Sequence, residues 1–195
     1  MTDDLYITNY CDKRCSILSS ITRLPVKEAY SLANKLSQHA GDSFTSFSRF
    51  TERDFDGYYK KRLRTEEWLY NSFIELGGKP QSHHPLYFVL GESRYLNAWF
   101  ENGITTRLLL RDIDPADVSF TFGDSMAKMD SEDRKNPFNK ASLFDFIYET
   151  ASDASSFLKE LNHQNKYIEV QLWNDLYIKR PIMEKIIRLK EVEGI

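Results

Sequence analysis

At 195 residues and 22.9 kDa, the chain is long enough to bury one core without a disulfide or metal staple, because a domain of this size hides about 70% of its unfolded surface. A hydrophobic content of 41%, with 14% aromatic residues, excludes a disordered chain. With 26 Lys and Arg against 29 Asp and Glu, the net charge of −3 excludes broad, nonspecific nucleic-acid binding by phosphate neutralisation.

Leu5 to Thr8 predicts a first strand, and Asn9 to Asp12 the turn that leaves it. Asp12 stands where it would cap a short helix through Ile17, Leu18 and Ile21. Cys11 and Cys15 fall there and read as reduced core thiols, since His39, His83, His84 and His163 show no zinc spacing. Asp3 and Asp4 occupy the place of a basic leader region, and no apolar run approaches the ~20 residues of a membrane span. A single-domain cytoplasmic protein with no membrane partner is expected.

Pro25 opens a helix with Tyr30, Ala33, Leu36 and Ala40 on its stripe, closed by Gly41. Asp42 to Thr51 reads as an ordered loop carrying Phe44, Phe47 and Phe50 around Arg49. A long helix follows from about Asp54 to Leu76, stopped by Gly77-Gly78, with a basic cluster at Lys60, Lys61, Arg62 and Arg64. Leu86 to Leu90 predicts a strand, Glu92 to Phe100 a short helix, and Ile104 to Ile113 another strand with Arg107 and Arg111 on one face. Asp112, Asp114 and Asp117 flank a proline turn, which explains them better than a metal does. Val118 to Phe122 alternates, with Ser119 and Thr121 on its polar side. Gly123 to Lys140 is turn-rich and reads as a mobile loop. Two short helices (Ser142 to Glu149, Asp153 to Asn162) lead into the most regular strand of the chain. Its Ile168, Val170 and Leu172 share one face, and Tyr167, Glu169, Gln171 and Trp173 share the other. A last helix is predicted from Pro181 to about Glu191. Helices gather in the first half and strands in the second, which predicts an α+β fold.

No phosphate-cradling glycine loop, nucleophile elbow or His-Glu-x-x-His is present. What remains is two polar strand faces, Ser119 with Thr121 and Glu169 with Gln171, that line one cleft if their strands are neighbours. A hydroxyl pair that orients a ribose and a carboxylate beside it would suit chemistry at an anomeric carbon, where positive charge develops. Alternation equally describes strands whose polar side simply meets water.

Ile7-Thr8, a seven-residue spacer and Ser16-Ile17-Leu18 resemble the NAD-binding start of the DarT-type ADP-ribosyltransferase toxins. Leu86-Tyr87-Phe88 is similar to that family's mid-chain strand, Ser119-Phe120-Thr121 to a Ser/Thr-bearing strand of the wider fold, and Tyr167-Ile168-Glu169-Val170 to the late strand with the catalytic glutamate. Tyr6 stands where the family has a histidine, and Gln171 is an amide where related enzymes carry a second acid. The resemblance implies an ADP-ribosyltransferase-like fold of mixed sheets with several flanking helices. It implies transfer of ADP-ribose from NAD to a nucleic acid or protein, with Glu169 as the catalytic residue. Thr8 and Asn9 would lie near the nicotinamide ribose, Tyr6 or Tyr87 would stack on the nicotinamide, Ser119 and Thr121 would hold a ribose, and Arg49 would meet the pyrophosphate. Gly123 to Lys140 would be the lid. The rival expectation is a non-enzymatic protein-binding module, such as an immunity or regulatory protein, whose Tyr, Trp and Arg meet a partner.

Overall fold

A computed structural model of the protein describes residues 4–39, 47–101, 103–151, 153–164 and 166–178. Five strands carry the fold: β1 (Tyr6–Cys11), β2 (Leu86–Leu90), β3 (Ile104–Leu109), β4 (Val118–Phe122) and β5 (Ile168–Leu172). They form one sheet in the order β3-β1-β2-β5-β4, and every neighbouring pair is antiparallel. The fold is therefore α+β, but the expected mixed sheets are replaced, among the described residues, by a single antiparallel sheet. β5 lies between β2 and β4, so both its edges are hydrogen-bonded and its side chains stand on a rigid floor.

The alternation in the sequence divides the two faces of the sheet. On one, Ile7, Phe88, Leu90, Leu108, Phe120, Ile168, Val170 and Leu172 pack against helices α4 (Lys140–Thr150) and α5 (Ala154–His163) through Leu143, Ile147 and Phe157. Asn139 and Asp153 cap these two helices by accepting from the backbone N–H three residues on. The other face is covered by the long helix α2 (Glu52–Glu75), whose Leu69 and Phe73 bury Trp173. Helix α1 (Val26–Ser37) packs outside α2, with Ala29 and Ala33 against Phe55 and Tyr59. A short α3 (Arg94–Trp99) follows β2.

Helix α2 ends where Gly77 takes φ +85° and the Gly78 N–H returns to Phe73 O at 2.9 Å. This αL closure suits glycine because a Cβ at positive φ is strained. Gly78 itself lies against the Phe73 ring, where a Cβ would come within 2.5 Å.

Several boundaries differ from the sequence expectation. β1 runs on through Asn9 and Tyr10 to Cys11, because β3 pairs with it along its whole length from Tyr6 to Cys11. The helix expected through Ile17 and Ile21 is absent: Asp12 caps no helix but binds Arg14, accepting from its backbone N–H at 2.9 Å and its Nε at 2.7 Å. β3 stops at Leu109 and the chain turns in a 3-10 segment at Leu110–Asp112, so Arg107 and Arg111 do not share a strand face. The helix expected from Pro181 lies outside the described residues. No helix among the described residues is long and apolar enough to cross a membrane.

Candidate functional site

One cross-strand row runs Arg107, Thr8, Val89, Glu169, Thr121 over all five strands, and the row beside it on β2, β5 and β4 is Tyr87, Gln171, Ser119. Directly paired residues project to the same side of a sheet. Glu169, Gln171, Ser119, Thr121 and Tyr87 therefore form one patch beneath α2. Glu169 is partly buried there, and its Oε1 accepts from Ser125 Oγ at 2.5 Å, Gln171 Nε2 at 3.0 Å and Thr121 Oγ1 at 3.4 Å. Gln171 also donates to Thr121 Oγ1 at 3.1 Å and accepts from Ser119 Oγ at 2.9 Å. Trp173 Nε1 donates to that same Ser119 oxygen at 2.9 Å.

Burial and the nearby negative charge of Asp124 push the Glu169 carboxyl up to about 7, against the opposing pull of the Ser125 and Gln171 hydrogen bonds and the Arg62 charge. A carboxyl titrating near neutrality can change charge at physiological pH, a property shared by reactive carboxyls and by buried structural ones. Burial, Asp124 and Glu169 also raise the Tyr167 phenol, while Arg49 acts to lower it, so Arg49 lies within electrostatic reach of this end of β5.

Beside the patch is a cavity of about 210 Å³ between α2 and the segment following β4. Trp68 and Thr121 form part of its wall, Ser125 stands at the Glu169 end, and Lys128, Arg134 and Lys135 against Asp133 leave its lining net positive. Its volume lies below the ~300 Å³ of a site for a drug-sized ligand, and it matches a single ring or one phosphate-sized group.

The segment from Gly123 to Lys140, which the sequence predicts as a mobile loop, is tied to its surroundings. Asp130 pairs with Lys61 at 3.1 Å and Arg64 at 3.6 Å on α2, the Arg134 guanidinium covers the Trp68 ring at 4.5 Å, and Phe138 bridges to Phe120. The basic cluster on α2 is thereby accounted for, since Lys60 also pairs with Asp56 at 2.8 Å and Arg62 with Glu66 at 2.8 Å.

The remaining candidates are spread out. Thr8 is in the Glu169 row but two strands away, fully buried, with its hydroxyl donating to Gly91 O. Asn9 points to the opposite face and donates to Tyr87 O at 2.8 Å. Tyr6 lies toward the far edge of the sheet, its ring under the Arg107 guanidinium at 5.0 Å. Tyr87 sits beneath the Arg62 guanidinium at 3.9 Å. Arg49 occupies a turn before α2, 4.9 Å from the Tyr58 ring centre and 5.8 Å from that of Trp99. Asp114 and Asp117 are turn residues, Asp114 accepting from Ala116 N at 2.8 Å and Asp117 from the Tyr177 hydroxyl at 2.6 Å. Among the described residues, no three His, Cys, Asp or Glu side chains are grouped to hold a metal ion.

Three participants escaped the sequence reading. Ser125 lies in a segment with no periodicity, so nothing marked it. Trp173 reads from the sequence only as a member of the Glu169 and Gln171 face, yet it is fully buried and stacked on Phe73 with ring planes 13° apart. Glu66 was legible in principle: Tyr59, Arg62, Glu66, Leu69 and Phe73 recur at the three- and four-residue steps of a buried stripe. A carboxylate in such a stripe needs partners, and it has them in Arg62 Nε at 2.8 Å, His84 Nδ1 at 2.6 Å and Thr22 Oγ1 at 3.1 Å. The chain matches no protein-family model, no curated protein and no solved structure.

Proposed function

We propose that the protein is an NAD-dependent ADP-ribosyltransferase that modifies a macromolecule, with Glu169 as its working carboxylate. The observation that supports this reading is that Thr121 and Ser125, which line a net-positive cavity, both hydrogen-bond Glu169, on a face shared with Ser119 and Gln171. NAD would be the substrate: the bond from the anomeric carbon to nicotinamide breaks, nicotinamide leaves with the electron pair, and an acceptor atom of the target bonds to that carbon and loses its proton. Glu169 in its carboxylate form would stabilise the positive charge that develops at the anomeric carbon and hold a ribose hydroxyl. Lys128, Arg134, Lys135 and Arg49 are the cations within reach for the pyrophosphate. Thr8 and Asn9 have no part in this version, since both are committed to backbone carbonyls.

A cavity of about 210 Å³ admits one end of NAD only, so the segment from Gly123 to Asn139 must lift to admit the rest. The Asp130 pairs are exposed and contribute roughly 0–1 kcal/mol each, while the Ser125–Glu169, Arg134–Trp68 and Phe138–Phe120 contacts would also have to part. The test is calorimetric titration of NAD into the wild type and Glu169→Gln, with nicotinamide release followed in parallel. Binding by both proteins with turnover by the wild type alone is expected. No binding at millimolar NAD would leave the protein-binding reading in its place.

A further inference from the structure

The hydrogen bonds behind Glu169 have a direction. Trp173 is fully buried and stacked on Phe73, which fixes the position of its indole N–H. An indole nitrogen donates and never accepts, so Ser119 Oγ, 2.9 Å away, is the acceptor. The one Ser119 proton then goes to Gln171 Oε1 at 2.9 Å. That orients the amide, because a flipped Gln171 would leave this proton with no acceptor in the line and turn its oxygen against Glu169. Gln171 Nε2 accordingly faces Thr121 Oγ1 at 3.1 Å and Glu169 Oε1 at 3.0 Å. Ser125 brings a further donor to the same carboxyl oxygen at 2.5 Å, and Thr121 another at 3.4 Å.

We infer that Trp173, Ser119 and Gln171 form a one-way donor relay that keeps Oε1 of Glu169 unprotonated and makes Oε2 the oxygen that meets the reacting group. The three are positioning residues, acting through Glu169, and the inference rests on the proposed role of that carboxylate. It also gives Gln171 a purpose, since an acid at this position would bring a second negative charge against Glu169 in place of the donor. The other ionisable groups that face Glu169 are Asp124 from the segment after β4, Arg62 from α2, the phenol of Tyr87 from β2 and that of Tyr167 just before β5. None belongs to the relay, so each stays in place when the relay is cut.

The experiment is an NMR pH titration of the full chain labelled with carbon-13 at the glutamate carboxyl, with the Glu169 signal assigned by its loss in Glu169→Gln. Gln171→Met should raise the Glu169 midpoint by about one pH unit, the size of one lost hydrogen bond to a charged acceptor. Trp173→Phe keeps the stacked ring but removes the N–H, and should move the midpoint the same way by a smaller, measurable step. A Trp173 whose role is packing alone would lower the melting temperature and leave the midpoint where it was. Should Trp173→Phe fail to fold, Ser119→Ala cuts the relay one bond further on and carries the same expectation. An unmoved midpoint in a folded Trp173→Phe or Ser119→Ala protein overturns the relay. The titration needs no NAD, so failure of the enzyme reading and failure of the relay are separate results.

Discussion

Replacing Glu66 by leucine tests the buried cluster that joins α2 to the loop before β2. The two side chains have similar volume, so the substitution removes charge without opening a cavity. Glu66 has no exposed side-chain surface and Arg62 is 19% exposed, so the arginine would lose its carboxylate in a largely dry setting. Breaking a buried pair on one side costs about 3–5 kcal/mol. The remaining exposure of Arg62 and its contact with Tyr87 favour the low end, about 3 kcal/mol. For a chain of this size each kcal/mol shifts the melting temperature by about 2–4 °C, so a fall of roughly 6–12 °C is expected by calorimetry or circular dichroism. Adding Arg62→Met removes the orphaned charge and should restore part of the loss. A fall below about 2 °C, or a double variant that loses the sum of the two single losses, would refute the reasoning.

Burial alone would raise the Glu66 carboxyl, but the bonds from His84 and Arg62 outweigh it and hold it below its ordinary value. This carboxylate therefore contributes stability that is present above its unfolded value and lost as pH falls through the lower folded one; Glu66→Leu should flatten the acid side of the stability profile. Glu169 behaves in the opposite sense: its folded carboxyl, at about 7, lies above its ordinary 4.5. Its contribution is whole below pH 4.5 and lost as pH rises through about 7, so Glu169→Gln should gain melting temperature relative to the wild type between pH 5 and pH 7.5. Gly78→Ala would press a methyl into the Phe73 ring and through it onto Trp173, and an overpacking loss of about 1–3 kcal/mol should appear in urea unfolding. Asp130→Ala should cost under about 1 kcal/mol but speed hydrogen exchange in the segment from Gly123 to Asn139, because its ties to α2 are exposed.

The strands that build the site were readable because period two is a short-range property. Val118 to Phe122 and Ile168 to Leu172 lie where alternation placed them, and the Glu169 and Ser119 faces meet as neighbours. Sheet order was not readable, since it depends on pairings between residues far apart in sequence, such as Thr8 with Val89 and Val89 with Glu169. For the same reason the Thr8 hydroxyl could not be seen to be committed to Gly91. The error at Asp12 is local: a carboxylate there caps a helix or closes a turn on Arg14, and the arginine two residues on decided for the turn. Ser125 reaches Glu169 only because β4, the segment after it and α2 have already packed.

The most direct measurement on Glu169 is the rate of nicotinamide release from NAD as a function of pH, for the wild type and for Glu169→Gln. With a carboxylate as the working form, the wild-type rate should rise through about pH 7 to a plateau, and the glutamine variant should bind NAD without turnover at any pH. Release that is equal in the two proteins, or absent from the wild type across the whole range, would contradict the role assigned to Glu169.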